Sequence, residues 1–257
     1  MIHLVDMHCH LLAGMDDGPG TDEEALAMCR IAYEEGVRLV AATAHQNERW
    51  LATAVGIREA TRELALRLSG AGIPLTVFPN AEVMVHPEMV MSWLAGDHLS
   101  VADRGEYLLM EIPPGLFLDL CTLVQDLRRA GIRPILAHPE RNEEYLHDPD
   151  LMEQLIHAGC LVQVSSGNVT KPGSRRDEQA LKSWFQRSMV HFLGSDGHSY
   201  SRRPPRMAAA YERIRDWAGS AVADRVCSTN GLAVLQGLPL KVQMPEKKKV
   251  RWLPKIW

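Results

Sequence analysis

The sequence holds little of what marks several large protein classes. No apolar run approaches the ~20 residues that span a bilayer, and the N-terminus has no basic region followed by a long apolar stretch. Neither a membrane span nor a signal peptide is expected, and the chain is expected to be cytoplasmic. Cysteine is sparse: Cys9, Cys29, Cys121, Cys160 and Cys227 are odd in number, scattered and never spaced Cys-x-x-Cys. That speaks against a disulfide framework and against a zinc ribbon. None has an arginine six residues later, as a cysteine-based phosphatase loop requires. Cys29, Cys121 and Cys160 read as small buried apolar residues. Charge of one sign is not in large excess. A net charge of −4 gives no reason to expect nucleic acid as a general partner. Low-complexity segments and linker-like stretches are absent.

What is present is ordinary for a globular chain: 46% hydrophobic and 23% charged residues over 257 positions, enough for one large α/β domain. One domain over residues 1–240 is expected, with a basic tail over 241–257 in which Lys247-Lys248-Lys249 reads as solvated. Ile2 to Met7 reads as a short apolar strand. Thr21-Asp22-Glu23-Glu24 is a capping box that opens a helix, and Gly36 ends it. Further strands are expected over residues 37–43, 75–78, 107–110, 134–137, 160–164 and 189–193. Helices are expected over 55–68, 116–130, 149–158 and 178–188, and again towards Gly237. About seven strand-then-helix units with short connections imply a parallel sheet. Polar residues gathered at one end of that sheet imply a barrel.

Those polar residues are of two kinds only. His8, His10 and Asp17 follow the first strand, His45 the second, Glu82 the third, Glu111 the fourth and His138 the fifth. Asp196 and His198 follow the seventh. A random set of loop residues would include Lys, Asn, Gln and Ser as often. Here there are five imidazoles and four carboxylates, at the barrel end where active sites form. One ion takes about 4 to 6 ligands, so the set fits two or three divalent cations. Such a cluster lowers the pKa of a bound water and neutralises phosphoryl oxygens, which suits phosphate ester hydrolysis. Arg141, in His138-Pro139-Glu140-Arg141, and Arg203, just after His198 and stiffened by Pro204-Pro205, are candidates to grip the phosphate.

The ordered motifs carry a family resemblance. They are His8-x-His10, Asp16-Asp17-Gly18-Pro19, Thr43-Ala44-His45, Ala81-Glu82, Glu111, Ala137-His138-x-Glu140-Arg141, Ser195-Asp196-x-His198 and Arg203-Pro204-Pro205. The chain resembles the PHP (polymerase and histidinol phosphatase) superfamily over residues 1 to about 236. Within it, the chain is most similar to the bacterial manganese-dependent protein-tyrosine phosphatases of the CpsB/YwqE type. The resemblance implies a distorted (β/α)7 TIM-like barrel carrying up to three metals, manganese first, with iron, zinc, cobalt or magnesium as alternatives. It implies His8, His10 and Asp196 on the first metal, Glu82 bridging the first and second, Glu111 and His138 on the second, and Asp17, His45 and His198 on the third. It implies phosphate contacts by Arg141 and Arg203 beside His45, a water-derived nucleophile, and no covalent phospho-enzyme. The implied partner is a phosphotyrosine protein, a bacterial tyrosine autokinase of capsule or exopolysaccharide export. A carboxylate at Glu111, where histidinol phosphatases typically carry histidine, favours the tyrosine-phosphatase branch. Gln46, Asn47 and Asn142 depart from residues that some relatives carry, which touches substrate contacts rather than metal chemistry.

The alternatives are a small-molecule phosphoesterase of the histidinol-phosphatase kind, a metal amidohydrolase, and a metal-holding regulator without catalysis. The amidohydrolase reading commonly needs a bridging lysine, and no strand end offers one. The regulator reading sits poorly with an intact ligand set. His3, His86, His98, His147, His157 and His191 match no ligand position, and Cys9 is expected to pack away from its neighbouring histidines by strand alternation.

Overall fold

The computed structural model describes residues 3–245, so Ile2 and the Lys247-Lys248-Lys249 run lie outside the described residues. Seven strands carry the architecture: β1 (Leu4–His10), β2 (Val37–Gln46), β3 (Thr76–Met84), β4 (Tyr107–Glu111), β5 (Arg133–Ala137), β6 (Leu161–Ser165) and β7 (Phe192–Gly194). All pair in parallel and in chain order, β1 to β7. Parallel neighbours need crossovers, and helices supply them. These include α1 (Asp22–Glu34), α2 (Ala54–Gly70), α3 (Met89–Ala95), α4 (Cys121–Arg129), α5 (Glu143–His147), α6 (Pro149–Ala158), α7 (Ser166–Thr170) and α8 (Arg175–Gln186). After β7 come α9 (Ala208–Ala218), α10 (Ser220–Asp224) and α11 (Asn230–Gln236). The seam between β7 and β1 is nearly closed. Cys9 and Gly197 form a parallel bridge, His10 N–H donates to Gly197 O at 2.9 Å, and Asp196 N–H donates to His8 O at 2.7 Å. No helix of the described residues is long and apolar enough to cross a membrane.

Local chemistry explains the elements. Thr21 Oγ1 caps α1 by accepting Glu24 N–H at 3.4 Å, while Glu24 Oε2 reaches back to Gly20 N–H at 2.8 Å. Ala25, Met28, Cys29 and Ala32 then form its buried stripe. Three spans differ from the sequence expectation for identifiable reasons. β3 continues past Pro79, because pairing with β4 begins only at Glu82 and Pro79 has β2 alone beside it. Glu82 therefore lies inside a strand rather than after it, as do His8 and His10 in β1, His45 in β2 and Glu111 at the end of β4. The helix expected from Leu116 starts only at Cys121. Gly115 (φ +77°) turns the chain, Asp119 Oδ1 accepts Cys121 N–H at 3.0 Å where the helix begins, and Pro113 and Pro114 join the cleft wall. β7 begins at Phe192, and Ser188 (φ 58°) ends α8's last turn.

Two apolar clusters show which way the strands face. The larger packs the strands against the helices. The smaller holds Val5, Met7, Ala41, Leu109, Ile135, Ala137, Leu161 and Phe192, with Val234 and Leu235 of α11, and fills the barrel interior at the end away from the site. Alternation along β1 would put Val5, Met7 and Cys9 on one face. A register shift between Asp6 and Cys9 breaks that alternation. The extra residue lets Val5 and Met7 face the interior and then turns His8 and His10 inward as well, leaving Cys9 in the outer cluster. Asp6 satisfies the backbone there: its Oδ1 accepts His8 N–H at 3.1 Å and Ser195 N–H at 2.8 Å. Burial raises the Asp6 carboxyl above its ordinary range, opposed by those same hydrogen bonds.

Candidate metal centre

The strand ends bring all nine candidate ligands to one floor. His8 and His10 are fully buried with their Nε2 atoms 3.0 Å apart. His45 and Glu82 are register partners on adjacent strands. Glu82 sits among four imidazoles. Its Oε2 lies 3.1 Å from His8 Nε2, 3.4 Å from His10 Nε2 and 3.2 Å from His45 Nδ1, and its Oε1 lies 2.7 Å from His138 Nε2. Glu111 Oε1 is 3.2 Å from His45 Nδ1. Asp17 Oδ1 is 3.5 Å from His45 Nε2 and 3.3 Å from His198 Nε2. Asp196 Oδ1 is 3.6 Å from both His8 Nε2 and His198 Nδ1, while its Oδ2 takes Nη2 of Arg141 and of Arg203.

The convergence of donor atoms does not follow the grouping implied by resemblance: His10 and His45 each belong to two sets, and His138 and Asp196 to none. His10, Asp17, His45 and His198 form one set of converging donors, His8, His10 and Glu82 a second, and His45, Glu82 and Glu111 a third. His45 thus stands between two sets, and it is His45 rather than His138 that meets Glu111. His138 reaches Glu82 from the other side. Two of these residues, His138 (φ 35°) and Asp196 (φ 52°), adopt the left-handed conformation, which costs on the order of 1–3 kcal/mol for a non-glycine residue. Neighbouring backbone holds them there: His138 N–H donates to Gln163 O at 2.8 Å and Asp196 N–H to His8 O.

The donor set fits divalent cations. His45 Nδ1 and Glu111 Oε1 are buried and close, yet neither has a hydrogen-bond partner. An orphaned buried polar atom costs about 1–3 kcal/mol, which a cation between the two would relieve. The charges agree. Burial opposes ionisation of Glu82, but His8 and His138, with hydrogen bonds from His10 and His138, hold its carboxyl well below the ordinary range. Burial would lower His10, but Asp16 and then Glu82 outweigh it and raise it to about 9, so a cation at Nε2 would displace a proton. Burial, with His10 beside it, brings His198 down to about 3, which keeps it neutral and available as a ligand. Burial and the nearby Arg141 lower Arg203 to about 10.

The floor opens into a cleft of about 1420 Å³, walled by Trp50, Leu51, Pro113 and Pro114, with Arg141 and Arg203 at its base. The departing residues serve its frame. Gln46 Nε2 donates to Ala52 O at 2.7 Å, Asn47 Oδ1 accepts Arg49 and Trp50 N–H, and Asn142 caps α5 by accepting Tyr145 N–H at 3.1 Å. His86 and His98 meet around Ser92 Oγ beside the cleft, and His191 is buried against Val162 of β6. Sequence reasoning missed two residues behind the ligands. Asp16 Oδ2 accepts His10 Nδ1–H at 2.6 Å, and Gln163 Oε1 lies 2.9 Å from His8 Nδ1. Gln163 did leave a signal, as one amide inside the apolar run Leu161-Val162-Gln163-Val164.

Known proteins place this architecture. The family model for capsular polysaccharide synthesis, CpsB/CapC, matches residues 4–236. The tyrosine-protein phosphatase YwqE of Bacillus subtilis (strain 168) is 32% identical over 202 residues, covering 78% of this chain and 79% of its own. The tyrosine-protein phosphatase CpsB of Streptococcus agalactiae serotype III (strain NEM316) is 24% identical over 258 residues, 91% of this chain and 98% of its own. A solved structure from work on YwqE of Bacillus subtilis and CpsB of Streptococcus pneumoniae, described as unique metal-dependent tyrosine phosphatases, superposes with a TM-score of 0.85. It has 29% identity and covers 95% of this chain and 98% of that one. With the barrel, the converging imidazole and carboxylate donors and the match over nearly its whole described length taken together, this chain belongs to the CpsB/CapC family of capsular polysaccharide synthesis.

Proposed function

We propose that the protein is a metal-dependent protein-tyrosine phosphatase of capsule or exopolysaccharide synthesis. Its substrate is a phosphotyrosine protein, in the cell a bacterial tyrosine autokinase of polysaccharide export. The metal is manganese, up to three ions shared among His8, His10, Asp17, His45, Glu82, Glu111, His138, Asp196 and His198, and the location is cytoplasmic. The observation that carries this reading is the meeting of imidazoles and carboxylates with two partly exposed arginines on one cleft floor. Mixed nitrogen and oxygen donors suit such a cation. Divalent ions held there would supply an acidified water and neutralise phosphoryl charge.

The chain's own residues do the rest. Arg141 and Arg203 already aim Nη2 at one carboxylate oxygen of Asp196, and a phosphoryl group entering the cleft offers equivalent acceptors. The anionic Glu82 keeps four imidazoles turned inward. Hydrolysis adds water to phosphorus and breaks the phosphorus–oxygen bond to the ring. One proton of that water ends on the tyrosine oxygen, whose ordinary pKa of about 10 makes neutral phenol the product at neutral pH.

The test is release of phosphate from a phosphotyrosine peptide with added Mn²⁺, and from the phosphorylated tail of a tyrosine autokinase. Turnover of both is expected, with kcat/KM far above that for histidinol phosphate. Folded protein that is inert with Mn²⁺, Co²⁺, Zn²⁺, Fe²⁺ and Mg²⁺ alike would refute the reading.

A further inference from the structure

Asp16 stands beside the candidate ligand Asp17 but takes a different part. Its side chain is 1% exposed, against 50% for that of Asp17. Its Oδ1 accepts Gly18 N–H at 2.9 Å, an ordinary turn contact. Its Oδ2 faces two other strands, accepting His10 Nδ1–H at 2.6 Å and His45 N–H at 2.9 Å. One carboxylate therefore joins β1, β2 and the turn that carries Asp17. A turn cap alone would need only the Gly18 contact.

We propose that Asp16 is a positioning residue of the metal centre, orienting His10, His45 and Asp17 so that these donors and His198 converge on one cation, without itself touching metal or substrate. The inference rests on the metal-dependent reading above. Its chemistry is that of a carboxylate behind a metal-ligating histidine. The bond at Nδ1 fixes the ring, leaves Nε2 free to ligate, and makes the imidazole a stronger donor. Gln163 stands behind His8 in the same way but is neutral. The two histidines that converge at 3.0 Å are thus supported unequally, and the charged support also reaches the neighbouring strand.

Asp16→Asn keeps the shape and removes the charge. Its amide has one acceptor for two sides. If its nitrogen faces Gly18 N–H, donor opposes donor. If it faces His10, the ring must take the Nε2–H tautomer and its ligating nitrogen is lost. Asp16→Ser can still reach Gly18 N–H and cannot reach His10, so it separates turn capping from ring orientation.

The experiment titrates metal-free wild type, Asp16→Asn and Asp16→Ser with Mn²⁺, reading bound metal by equilibrium dialysis and elemental analysis. Co²⁺ absorption reports ligand geometry, and circular dichroism restricts the comparison to folded protein. Binding of at least one Mn²⁺ per chain should weaken about 10–100-fold in both variants, with a changed Co²⁺ spectrum and unchanged KM at saturating metal. Binding curves and Co²⁺ spectra that superimpose on wild type, whatever happens to thermal stability, would overturn the proposal and leave Asp16 a turn cap. Wild type that binds Mn²⁺ but leaves a phosphotyrosine peptide intact would refute the phosphatase reading and leave this comparison standing.

Discussion

Replacing either arginine at the base of the cleft should separate substrate binding from metal binding. Arg141 and Arg203 come from different loops, their side chains are 40% and 42% exposed, and both send Nη2 to Asp196 Oδ2. A charge-assisted hydrogen bond contributes about 1.5–3 kcal/mol, so Arg141→Ala or Arg203→Ala should each lower kcat/KM for a phosphotyrosine peptide about 10–150-fold. The nine candidate ligands are untouched, so metal content should hold. The double variant should depart from the product of the single losses, by about 0.5–3 kcal/mol, because the guanidiniums share one carboxylate and repel each other. The assay is initial-rate kinetics at saturating Mn²⁺ with elemental analysis of each variant. Unchanged kcat/KM in both single variants would remove the arginines from the site. Loss of metal in parallel with activity would mean that they act only by holding Asp196.

His138→Ala and Asp17→Ala should each abolish turnover while the far-ultraviolet circular dichroism stays that of wild type; retained turnover in either would take that residue out of the centre. Gly194→Ala would bring a Cβ to 2.6 Å from His8 Cβ and 2.8 Å from Gln163 Nε2. A cost of about 1–3 kcal/mol is expected from that overpacking, and denaturant unfolding would read it. His191 is buried with Nδ1 accepting Val162 N–H at 3.1 Å, and burial, then Arg133 and Arg225, lowers it to about 3. Below the ordinary histidine value the unfolded chain takes up a proton that the native chain refuses, so stability from this residue is full above about pH 6.5 and is lost as pH falls towards 3. The loss is about 2 kcal/mol by about pH 5, and His191→Gln should flatten the slope of unfolding free energy against pH. An unchanged slope would show that His191 protonates in the fold.

The candidate site was legible to an unusual degree because a parallel barrel converts sequence position into spatial position. Each strand ends at the same face, so His45, Glu82, Glu111 and His138, scattered over 94 positions counted inclusively from 45 to 138, become neighbours by topology alone. The capping box at Thr21 and the helix over Pro149–Ala158 were legible for a local reason, since both are decided by side chains a few residues apart. Where the reading stopped short, non-local partners decided. Glu82 belongs to β3 because β2 pairs along the whole of that strand, past a proline that locally reads as a stop. Leu116 to Leu120 leave the expected helix, which begins only at Cys121, and Leu120 packs into the core instead.

The opening motif shows the division most clearly. By itself the sequence determined that His8 and His10 share a face, that an acid pair follows them, and that the donors along the chain are imidazole and carboxylate. It could not say which face, because the shift between Asp6 and Cys9 depends on pairing with β2 and on Asp6 meeting the backbone of Ser195. It singled out Asp17 of the adjacent acids as a ligand by its place before Gly18-Pro19, but it gave no part to Asp16. Only the tertiary structure sealed Asp16 behind His10 and against the His45 backbone while leaving Asp17 half exposed, because a carboxylate's role is set by the strands it bridges and the water it loses.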